Sequence, residues 1–505
     1  MNISLEAKKN NSIIECLIKG EVSGAISVYL CLLFGVIVSL ILVMYEAANY
    51  SAMMLHVECA TDSAMDSCLA EYNANLLSKY GLLFVDSSYG ESDGSVDNVC
   101  NHIEQYMAEN LDTNQNVVLA SSKDLFGADI YRVDILKTSR ATDEDGAVFR
   151  YMAVSYMLEY YGIAYANELI DAYETSSSTG LFGDISDDDN IENMANQAFS
   201  DLGNFSLSDE KKEEYGIEGD IEYEHPEQAV QASRSKGILS TVCKKDVSNK
   251  VIDLSTYASH RSNTLGDGMY NRWDSRNELI SNVLFNNYVV LMTGNYVEPH
   301  ENSPLDYELE YVIAGKTGDL DNLKYVTTRL LLIRGVANAS YFATDSTLRD
   351  ETEAAATGLS LLCGIPELEK LFYGALSAAW IYAESTVDVR RLLDGKKVSL
   401  ITNSQEWDTS LEKVMGGSFE NEDDDKDYTL PTALSYKDYL GMLLLFTDNK
   451  SKTFRMMDVV EMNMRYSYGQ ESFRIDNCMA AFEIQALVEC SNGYCVLVKK
   501  DFGYR

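Results

Sequence analysis

Residues Ala25–Tyr45, AISVYLCLLFGVIVSLILVMY, form an uninterrupted apolar stretch without a charged side chain. At a rise of about 1.5 Å per residue, one helix of this length spans the roughly 30 Å hydrocarbon core of a bilayer. A buried core helix is one alternative, but such helices seldom stay apolar on every face. A cleaved secretory signal is another, although its apolar region usually covers about 7–15 residues and no clear cleavage site follows here. The stretch therefore predicts a retained transmembrane helix.

The distribution of lysines predicts which way this helix crosses the membrane. Lys8, Lys9 and Lys19 precede the span, whereas the first basic residue after it is Lys79. Basic flanks of a membrane helix remain in the cytoplasm. We therefore expect residues 1–24 to form a cytoplasmic leader and the chain beyond the span to be extracytoplasmic.

Small side chains recur every four residues within the span, at Ser27, Cys31, Gly35 and Ser39. On a membrane helix such a stripe lets a neighbouring helix approach closely. It therefore indicates helix packing with another single-pass or pilin-like membrane protein, or with a second copy in a lateral homo-oligomer. Chance recurrence in a Leu/Val-rich segment is the alternative, and the sequence does not decide between them.

The composition is that of a large, acidic, globular protein. The 505 residues include 79 acidic and 40 basic side chains, for a formal net charge of −39, with 46% hydrophobic residues. Phosphate neutralisation needs a surplus of Lys and Arg on one face, so nucleic acid is not an expected partner. Acidic and basic side chains balance in the leader, so the net negative charge belongs to the chain beyond the span.

A helix is predicted to continue beyond the membrane. From Ala25 to Tyr80 there is no proline and Gly35 is the only glycine, while Gly81 supplies a C-terminal stop. Apolar residues mark one helical face at spacings of three or four. They are Val57, Ala60, Ala64, Cys68, Tyr72 and Leu76. The pattern predicts one rod of about 55 residues, roughly 80 Å long.

Two stretches carry a family resemblance: GAISVYLCLLFGVIVSLILVMYEAA, which begins at Gly24, and AEYNANLLSKYGLLFVDSSYG, which begins at Ala70. The helical plan resembles that of pilins and pseudopilins. More specifically, the chain is similar to an uncharacterised Gram-positive domain-of-unknown-function family of single-pass membrane proteins associated with tight-adherence (Flp-type) pilus and secretion loci. Further similar stretches are KGILSTVCKKDVSNKVIDLSTYASHR and FRIDNCMAAFEIQALVE, so the resemblance covers nearly the whole chain. It implies an assembly context and no particular chemistry.

The chain departs from the processing pattern of prepilins. Substrates of prepilin peptidase usually carry Gly at the cut and Glu five residues later. Counted from Ala25 after Gly24, that position is Tyr29, and no acidic side chain follows before Glu46. The resemblance therefore does not extend to this cleavage motif.

Composition and periodicity divide the chain beyond the transmembrane segment 25–45 into four parts. Residues 46–175 combine the rod helix with the first part of an α+β outer unit, and 176–190 is a Ser/Gly/Asp-rich loop or boundary. Residues 191–427 are mostly helical, and 428–505 contain helices and a terminal β-hairpin. The predicted fold class is α+β, mainly α, with a helical insertion between two ends that share a small antiparallel sheet.

Two patterns predict that sheet. The segment Ala128–Lys137 alternates like a half-buried strand, and Asn492-Gly493 favours a two-residue hairpin turn near the C-terminus. Cys490 and Cys495 sit one step back from the flanking pair of this turn. A disulfide between them is one interpretation, if the register brings their β-carbons close, and separate thiols are the other.

The sequence offers no clear assignment of a catalytic site. Gly315-Lys316-Thr317 resembles the end of a phosphate loop, but Glu310 stands where that motif needs its first glycine. The five histidines show no H-E-x-x-H spacing, and C-x-x-C does not occur. No catalytic, cofactor-binding or metal-ligating residue is assigned from the sequence, and a non-enzymatic role is favoured.

Acidic residues raise two further questions. The runs Asp184–Asp189 and Glu420–Asp427 lack EF-hand spacing, so solvated loops are favoured over calcium binding, which stays the alternative. Glu384 follows a strongly apolar helix and precedes Arg390 and Arg391. Since an isolated buried carboxylate is costly, we predict a structural ion pair there, with a functional carboxylate as the alternative.

Together these patterns favour a non-enzymatic, single-pass protein of the cell membrane. It would be a pseudopilin-like or accessory component of a tight-adherence-type pilus or secretion assembly. Its partners would be the lipid bilayer and other single-pass or pilin-like proteins. The alternatives are an extracytoplasmic adhesin or ligand-binding module and, less favoured, a membrane-tethered hydrolase.

Overall fold

The computed structural model describes residues 3–91, 94–112, 126–178, 197–198, 200–202, 204–215, 237–267, 278–416, 433–491 and 493–504. Within these ranges the protein is α+β and mainly helical, which confirms the predicted fold class. The chain divides into two compact units, each assembled from separate segments. Unit 1 comprises Met1–Glu71, Val96–Leu136 and Phe482–Gly503, and unit 2 comprises Tyr72–Ser95, Lys137–Ala481 and Tyr504–Arg505.

The helices follow the apolar periodicity of the sequence. They are α1 (Ile3–Leu69), α2 (Ala74–Tyr80), α3 (Val96–Leu111), α4 (Asp143–Ser178), α5 (Asp209–Tyr215), α6 (Ile238–Val242), α7 (Glu278–Met292), α8 (Glu308–Ala314), α9 (Asp319–Thr344), α10 (Ser346–Cys363), α11 (Glu369–Leu393), α12 (Leu411–Met415), α13 (Tyr436–Leu445) and α14 (Asn449–Tyr466).

The strands of the described residues form two small sheets. They are β1 (Val85–Asp86), β2 (Ala128–Arg140), β3 (Val398–Ser399), β4 (Ala433–Leu434), β5 (Cys478–Cys490) and β6 (Cys495–Gly503). One sheet has the order β1-β5-β2 with β6 paired to β5, and the other pairs β3 with β4. The strand expected at Ala128–Lys137 is β2, and it lies in the same sheet as the C-terminal hairpin.

The predicted single rod is wrong at its far end, because α1 stops at Leu69 and a separate helix, α2, leads to Tyr80. The cause is Asn73, whose side-chain oxygen accepts hydrogen bonds from the backbone N–H groups of Asn75 and Leu76 and so caps α2. Asn73 can take this role only with a non-helical backbone, so it interrupts the longer helix. Gly81, the predicted stop, ends α2 in the left-handed conformation at φ 64°.

The apolar segment of α1 and the segment that follows it differ in their surroundings. Residues 26–45 are exposed along their whole length. Further on, the predicted face is buried in unit 1 at Val57, Ala64 and Cys68, where α1 packs against α3 and β6. The hydroxyl of Thr61 bonds back to the carbonyl of Val57 at 2.8 Å, so this polar residue is satisfied within the helix. One continuous helix therefore carries an exposed apolar segment and a packed segment.

The described residues of unit 2 form two apolar clusters. The larger lies among α4, α7, α8, α13 and α14 and includes the buried aromatic side chains Phe149, Phe285 and Tyr288. The smaller lies between α10 and α11 around Phe372 and Trp380. These clusters hold the helices that position the polar sites of unit 2.

Candidate functional site

A polar cleft of about 650 Å³ lies in unit 2. It forms where the loop that contains Ser259 and His260 meets the beginning of α4 and the first two turns of α14. Its volume is within the range of small-molecule sites, and its lining includes Arg261, Lys450 and Arg455 together with carboxylates. The cleft is therefore the candidate functional site.

A buried carboxyl group on α14 holds one of the residues that line the cleft, Ser259. Asp458 is fully buried and accepts hydrogen bonds from the N–H of Ser259, at 2.9 Å, and from the hydroxyl of Tyr311, at 2.7 Å. Burial outweighs these bonds and raises the pKa of Asp458 to about 7. This buried carboxyl group, which contacts a cleft residue, can therefore gain or lose a proton near neutral pH.

Ser259 and His260, which both line the cleft, form a hydrogen-bonded pair. The Oγ of Ser259 lies 2.7 Å from Nδ1 of His260. In a Ser-His-Asp triad, however, the carboxylate holds the histidine ring, whereas Asp458 holds the backbone of Ser259. The arrangement suits binding of a polar group by hydrogen bonds, and it does not define a nucleophile and its base.

The rim of the cleft contains strained backbone. Glu144 and Asp145 have φ values of 51° and 55°, and Gly146 follows at 82°, so three consecutive residues are left-handed. This conformation costs roughly 1–2 kcal/mol for each residue with a β-carbon. The preceding Asp143 fixes the turn by accepting the N–H groups of Arg140, at 2.8 Å, and Gly266, at 2.6 Å. Strain of this kind is concentrated at functional sites.

Arg261 ties the cleft loop to two other elements. Its guanidinium group donates to Glu461 of α14 at 2.7 Å and to Asp476 at 2.6 Å. Burial alone would raise the pKa of Asp476, but the N–H of Thr264 and the charge of Arg261 outweigh it and lower that pKa. Because both carboxylates are buried, this arginine holds the loop firmly in place.

Replacing Asp458 by asparagine is expected to flatten the pH dependence of stability. Since the pKa of Asp458 is higher in the folded protein than in the unfolded chain, its contribution to stability falls as pH rises from about 4 to about 7. The wild type should lose up to about 1.4 kcal/mol of unfolding free energy per pH unit from this group. Urea denaturation of the detergent-solubilised protein at pH 5 and pH 7.5 measures the effect. The exposed Asp321→Asn change is the matched control, and equal slopes in wild type and Asp458→Asn would refute the assignment.

The predicted ion pair of Glu384 is not formed. Glu384 is buried and accepts hydrogen bonds from the N–H and hydroxyl of Thr409, at 2.8 and 2.6 Å, and from the N–H of Asp408, at 3.2 Å. Burial and the neighbouring Asp388 raise the pKa of Glu384 to about 7. Backbone donors from a distant loop therefore satisfy this carboxyl group.

The two arginines bind other partners. Arg391 forms ion pairs with Asp408 and, at 3.9 Å, with Asp388, while Arg390 donates to the carbonyl of Thr241 at 3.0 Å. Seven residues separate Glu384 from Arg391, which places them two helical turns, about 10 Å, apart. Neither arginine pairs with Glu384 among the described residues, because their guanidinium groups are directed to these other partners.

A buried network around Arg334 of α9 was not predicted. The guanidinium group donates to Asp388 at 3.0 Å, to Thr402 at 2.8 Å and to the carbonyls of Ser399 and Leu400 at 2.5 and 3.1 Å. Arg334 is fully buried. The sequence contains one indication of this network, a lone arginine within the apolar run LLLIRGVA. A charge buried in such a run needs partners.

A second buried network involves one of the scattered histidines. Glu308 accepts hydrogen bonds from Ser303 at 2.6 Å and Asn463 at 2.6 Å, and its Oε2 lies 2.8 Å from Nδ1 of His300. Burial alone would raise the pKa of Glu308, but these bonds outweigh it and lower that pKa. Asn463 comes from α14, far along the chain, so no sequence spacing indicates this site.

Of the two interpretations of Cys490 and Cys495, a disulfide or separate thiols, the structure has separate thiols. The N–H of Cys490 donates to the carbonyl of Tyr494 at 2.9 Å, and Gly493 at φ 80° closes the turn. Cys490 therefore faces Tyr494, and Cys495 lies one step further along β6. Cys490 is buried and Cys495 exposed, because a shift of one residue moves a side chain to the other face. Asn492 lies outside the described residues.

The small-residue stripe lies within the exposed part of α1. The hydroxyl of Ser39 bonds back to the carbonyl of Val36 at 2.8 Å, and a β-carbon on Gly35 would meet no atom within 4 Å. Cys31 and Ser27 lie about one and two turns before Gly35 on the helix. The packing of this stripe against another helix stays a prediction.

The acidic runs Asp184–Asp189 and Glu420–Asp427, and the predicted loop 176–190 beyond its first three residues, lie outside the described residues. Where the structure describes the chain, no group of three or more His, Cys, Asp or Glu side chains could hold a metal ion. Calcium binding stays an open prediction.

These features define a mainly helical α+β protein with one N-terminal apolar helix and a polar cleft in unit 2. The segment Ile26–Leu69 of α1 is long and apolar enough to cross a membrane, with a mean hydropathy of 2.8 over its most apolar window. An apolar helix near the N-terminus is consistent with a membrane anchor or with a signal sequence.

The chain belongs to a family of unknown function (DUF5702), which matches residues 217–490. The match includes Ser259, His260 and Asp458 of the cleft, while the strained rim at Glu144 and Asp145 precedes it. The family description names no activity and no pilus or secretion role. No curated protein and no solved structure matches the chain.

Proposed function

We propose that the protein is a non-enzymatic, membrane-anchored assembly component, pseudopilin-like or accessory to a tight-adherence-type pilus or secretion machine. The observation that supports this most strongly is the continuity of α1. Its exposed apolar residues 26–45 lead without a break into residues 46–69, one face of which packs within unit 1. A bilayer would cover the exposed segment, and the same helix would transmit its position to the folded unit.

The proposed orientation has residues 1–24 in the cytoplasm and the chain beyond the span outside. Lysines before the span and their absence just after it support this direction. The net charge of −39 then lies on the outer side, where it would keep the protein soluble and offer an acidic docking surface.

A photocrosslinking amino acid at Ser39 is expected to capture a neighbouring membrane helix in native membranes. The same amino acid at Ile41 is the matched control, because two residues turn a helix by about 200° and place it on the opposite face. We expect at least fivefold more crosslinked product from Ser39 than from Ile41, with the partner identified by mass spectrometry. Equal yields from both positions, or no product from either, would contradict lateral assembly through the stripe.

An extracytoplasmic ligand-binding module is the second candidate function. The observation in its favour is the cleft at Ser259 and His260, whose rim carries two left-handed residues with β-carbons. Strained backbone beside a cleft of small-molecule size is typical of ligand sites. The two functions are compatible, since a membrane-anchored component can also bind a ligand.

A further inference from the structure

A second cavity of unit 2, of about 620 Å³, lies among α8, α9, α13 and α14. Its walls are apolar at Ile313, Ile333 and Leu443. Two aromatic side chains also line it, Tyr325, which is 37% exposed, and Phe446, which is 59% exposed. An aromatic ring this exposed beside an apolar cavity offers a contact surface for the body of a ligand.

The charged residues of this lining are mainly cationic. Among the described residues they are Lys316, Arg329 and Arg455, against the single carboxylate of Asp448. Asp448 already accepts the N–H of Ser451 at 2.9 Å as the cap of α14, and this bond lowers its pKa. In a chain with a net charge of −39, three cations against one carboxylate reverse the prevailing sign. A positive site on an acidic protein favours an anionic ligand over a cationic one.

Local contacts hold two of these cations in place. Arg455 donates to the last carbonyls of α8, those of Val312 at 3.1 Å and Ile313 at 2.6 Å. The guanidinium carbon of Arg329 lies 5.3 Å from the centre of the Tyr325 ring, within the range of a cation–π contact. These contacts restrict the two side chains before a ligand binds. Binding therefore costs less side-chain conformational entropy.

The loop after α8 brings the third cation to the cavity. Asn322 fixes this loop by accepting the N–H of Lys316 at 2.8 Å and donating to its carbonyl at 3.0 Å. A β-carbon at Gly315 would lie 2.5 Å from the guanidinium group of Arg455, so glycine permits the close approach. The loop after α8 therefore packs closely against α14 at the cavity.

We propose that this cavity binds an amphipathic carboxylate, a small molecule with a short apolar body and one carboxylate head. The apolar walls and aromatic rings take the body, and the cations take the head. Arginine matches a carboxylate in charge and in fork geometry. A volume near 620 Å³ accommodates a chain of about eight carbons with room for water. This site is separate from the membrane helix, and its test does not depend on the anchoring role.

Titration of the full chain in zwitterionic nanodiscs with 8,8,8-trifluorooctanoate, followed by fluorine NMR, tests the proposal. We expect saturable binding that weakens as salt rises, because salt screens the charges. The double variant Lys316→Gln/Arg329→Gln should weaken binding at least tenfold. Lys324→Gln, at an exposed lysine of the same helix as Arg329, should leave it unchanged. Arg455 is left intact because it caps α8.

Two further measurements keep the proposal falsifiable. Ala314→Phe narrows the cavity without removing a charge and should also weaken binding at least tenfold, which covers the case in which the double variant does not fold. The matched cation, 8,8,8-trifluorooctylammonium, should not bind saturably. Equal binding of the two probes, or wild-type affinity in a folded double variant, would overturn the proposal.

Discussion

Replacing Arg334 by alanine is expected to lower the free energy of unfolding by about 3–5 kcal/mol. The change removes every hydrogen bond of the buried guanidinium group and leaves Asp388 buried at low dielectric. The remaining contacts of that carboxylate are the amide of Asn338 at 2.9 Å and the more distant Arg391 at 3.9 Å. Neither replaces the lost charge, so Asp388 must stay ionised at a high cost or take up a proton.

Urea denaturation followed by tryptophan fluorescence measures this loss. Trp380 and Trp407 lie with ring centroids 5.7 Å apart in the smaller apolar cluster of unit 2 and report on its unfolding. Lys324→Ala, on the same helix but exposed, is the control and should change stability by less than about 0.5 kcal/mol. A loss of under about 1 kcal/mol for Arg334→Ala would show that the network does not stabilise the fold.

A second substitution separates the two causes of the loss. Adding Asp388→Asn to Arg334→Ala removes the buried unpaired charge and keeps the shape of the side chain. Part of the lost stability should return, because an unpaired charge costs more to bury than an amide. No recovery would mean that packing, not charge, makes Arg334 important.

Placing arginine at both Val36 and Leu40 is expected to remove the protein from the membrane. Each charge near the centre of a span costs about 2.5–3.5 kcal/mol on insertion scales, so the pair costs roughly 5–7 kcal/mol. Both side chains are exposed on α1, so the change disturbs no packing in the folded chain. A control pair, Met54→Arg and Leu55→Arg, alters exposed residues of the same helix beyond the predicted span.

Carbonate extraction of isolated membranes gives the readout. Wild type and the control pair should stay in the pellet, whereas the Val36→Arg/Leu40→Arg protein should be soluble or degraded. Retention of the Val36→Arg/Leu40→Arg protein in the pellet at the wild-type level would contradict a transmembrane role for residues 26–45.

Local patterns predicted the parts of the fold that depend on local physics. The face through Val57, Ala64 and Cys68 is buried as its helical spacing indicated. The break before α2 was missed because Asn73 is compatible with a helix surface until its capping bonds are seen. The position of Cys490 opposite Tyr494 likewise depends on a turn register that Asn492-Gly493 alone does not fix.

Sequence patterns could not predict the polar sites, because their residues are far apart in the chain and meet only in the folded protein. The backbone of Ser259 and the carboxyl group of Asp458 are 199 residues apart in the chain and 2.9 Å apart in the structure. Glu384 similarly obtains its donors from Thr409, on a loop beyond its own helix. Sequence indicated that this buried carboxylate needs partners, but its nearest arginines are placed two turns away or on another face.

The central claim is that α1 anchors the chain with its leader inside the cell and the following residues outside. The most direct test labels two single-cysteine variants, one that retains Cys16 in the leader and one that retains the exposed Cys495 of β6, with a membrane-impermeant maleimide. In intact cells, Cys495 should be labelled and Cys16 should be labelled only after the membrane is permeabilised. Labelling of Cys16 in intact cells, or protection of Cys495 until permeabilisation, would contradict the account.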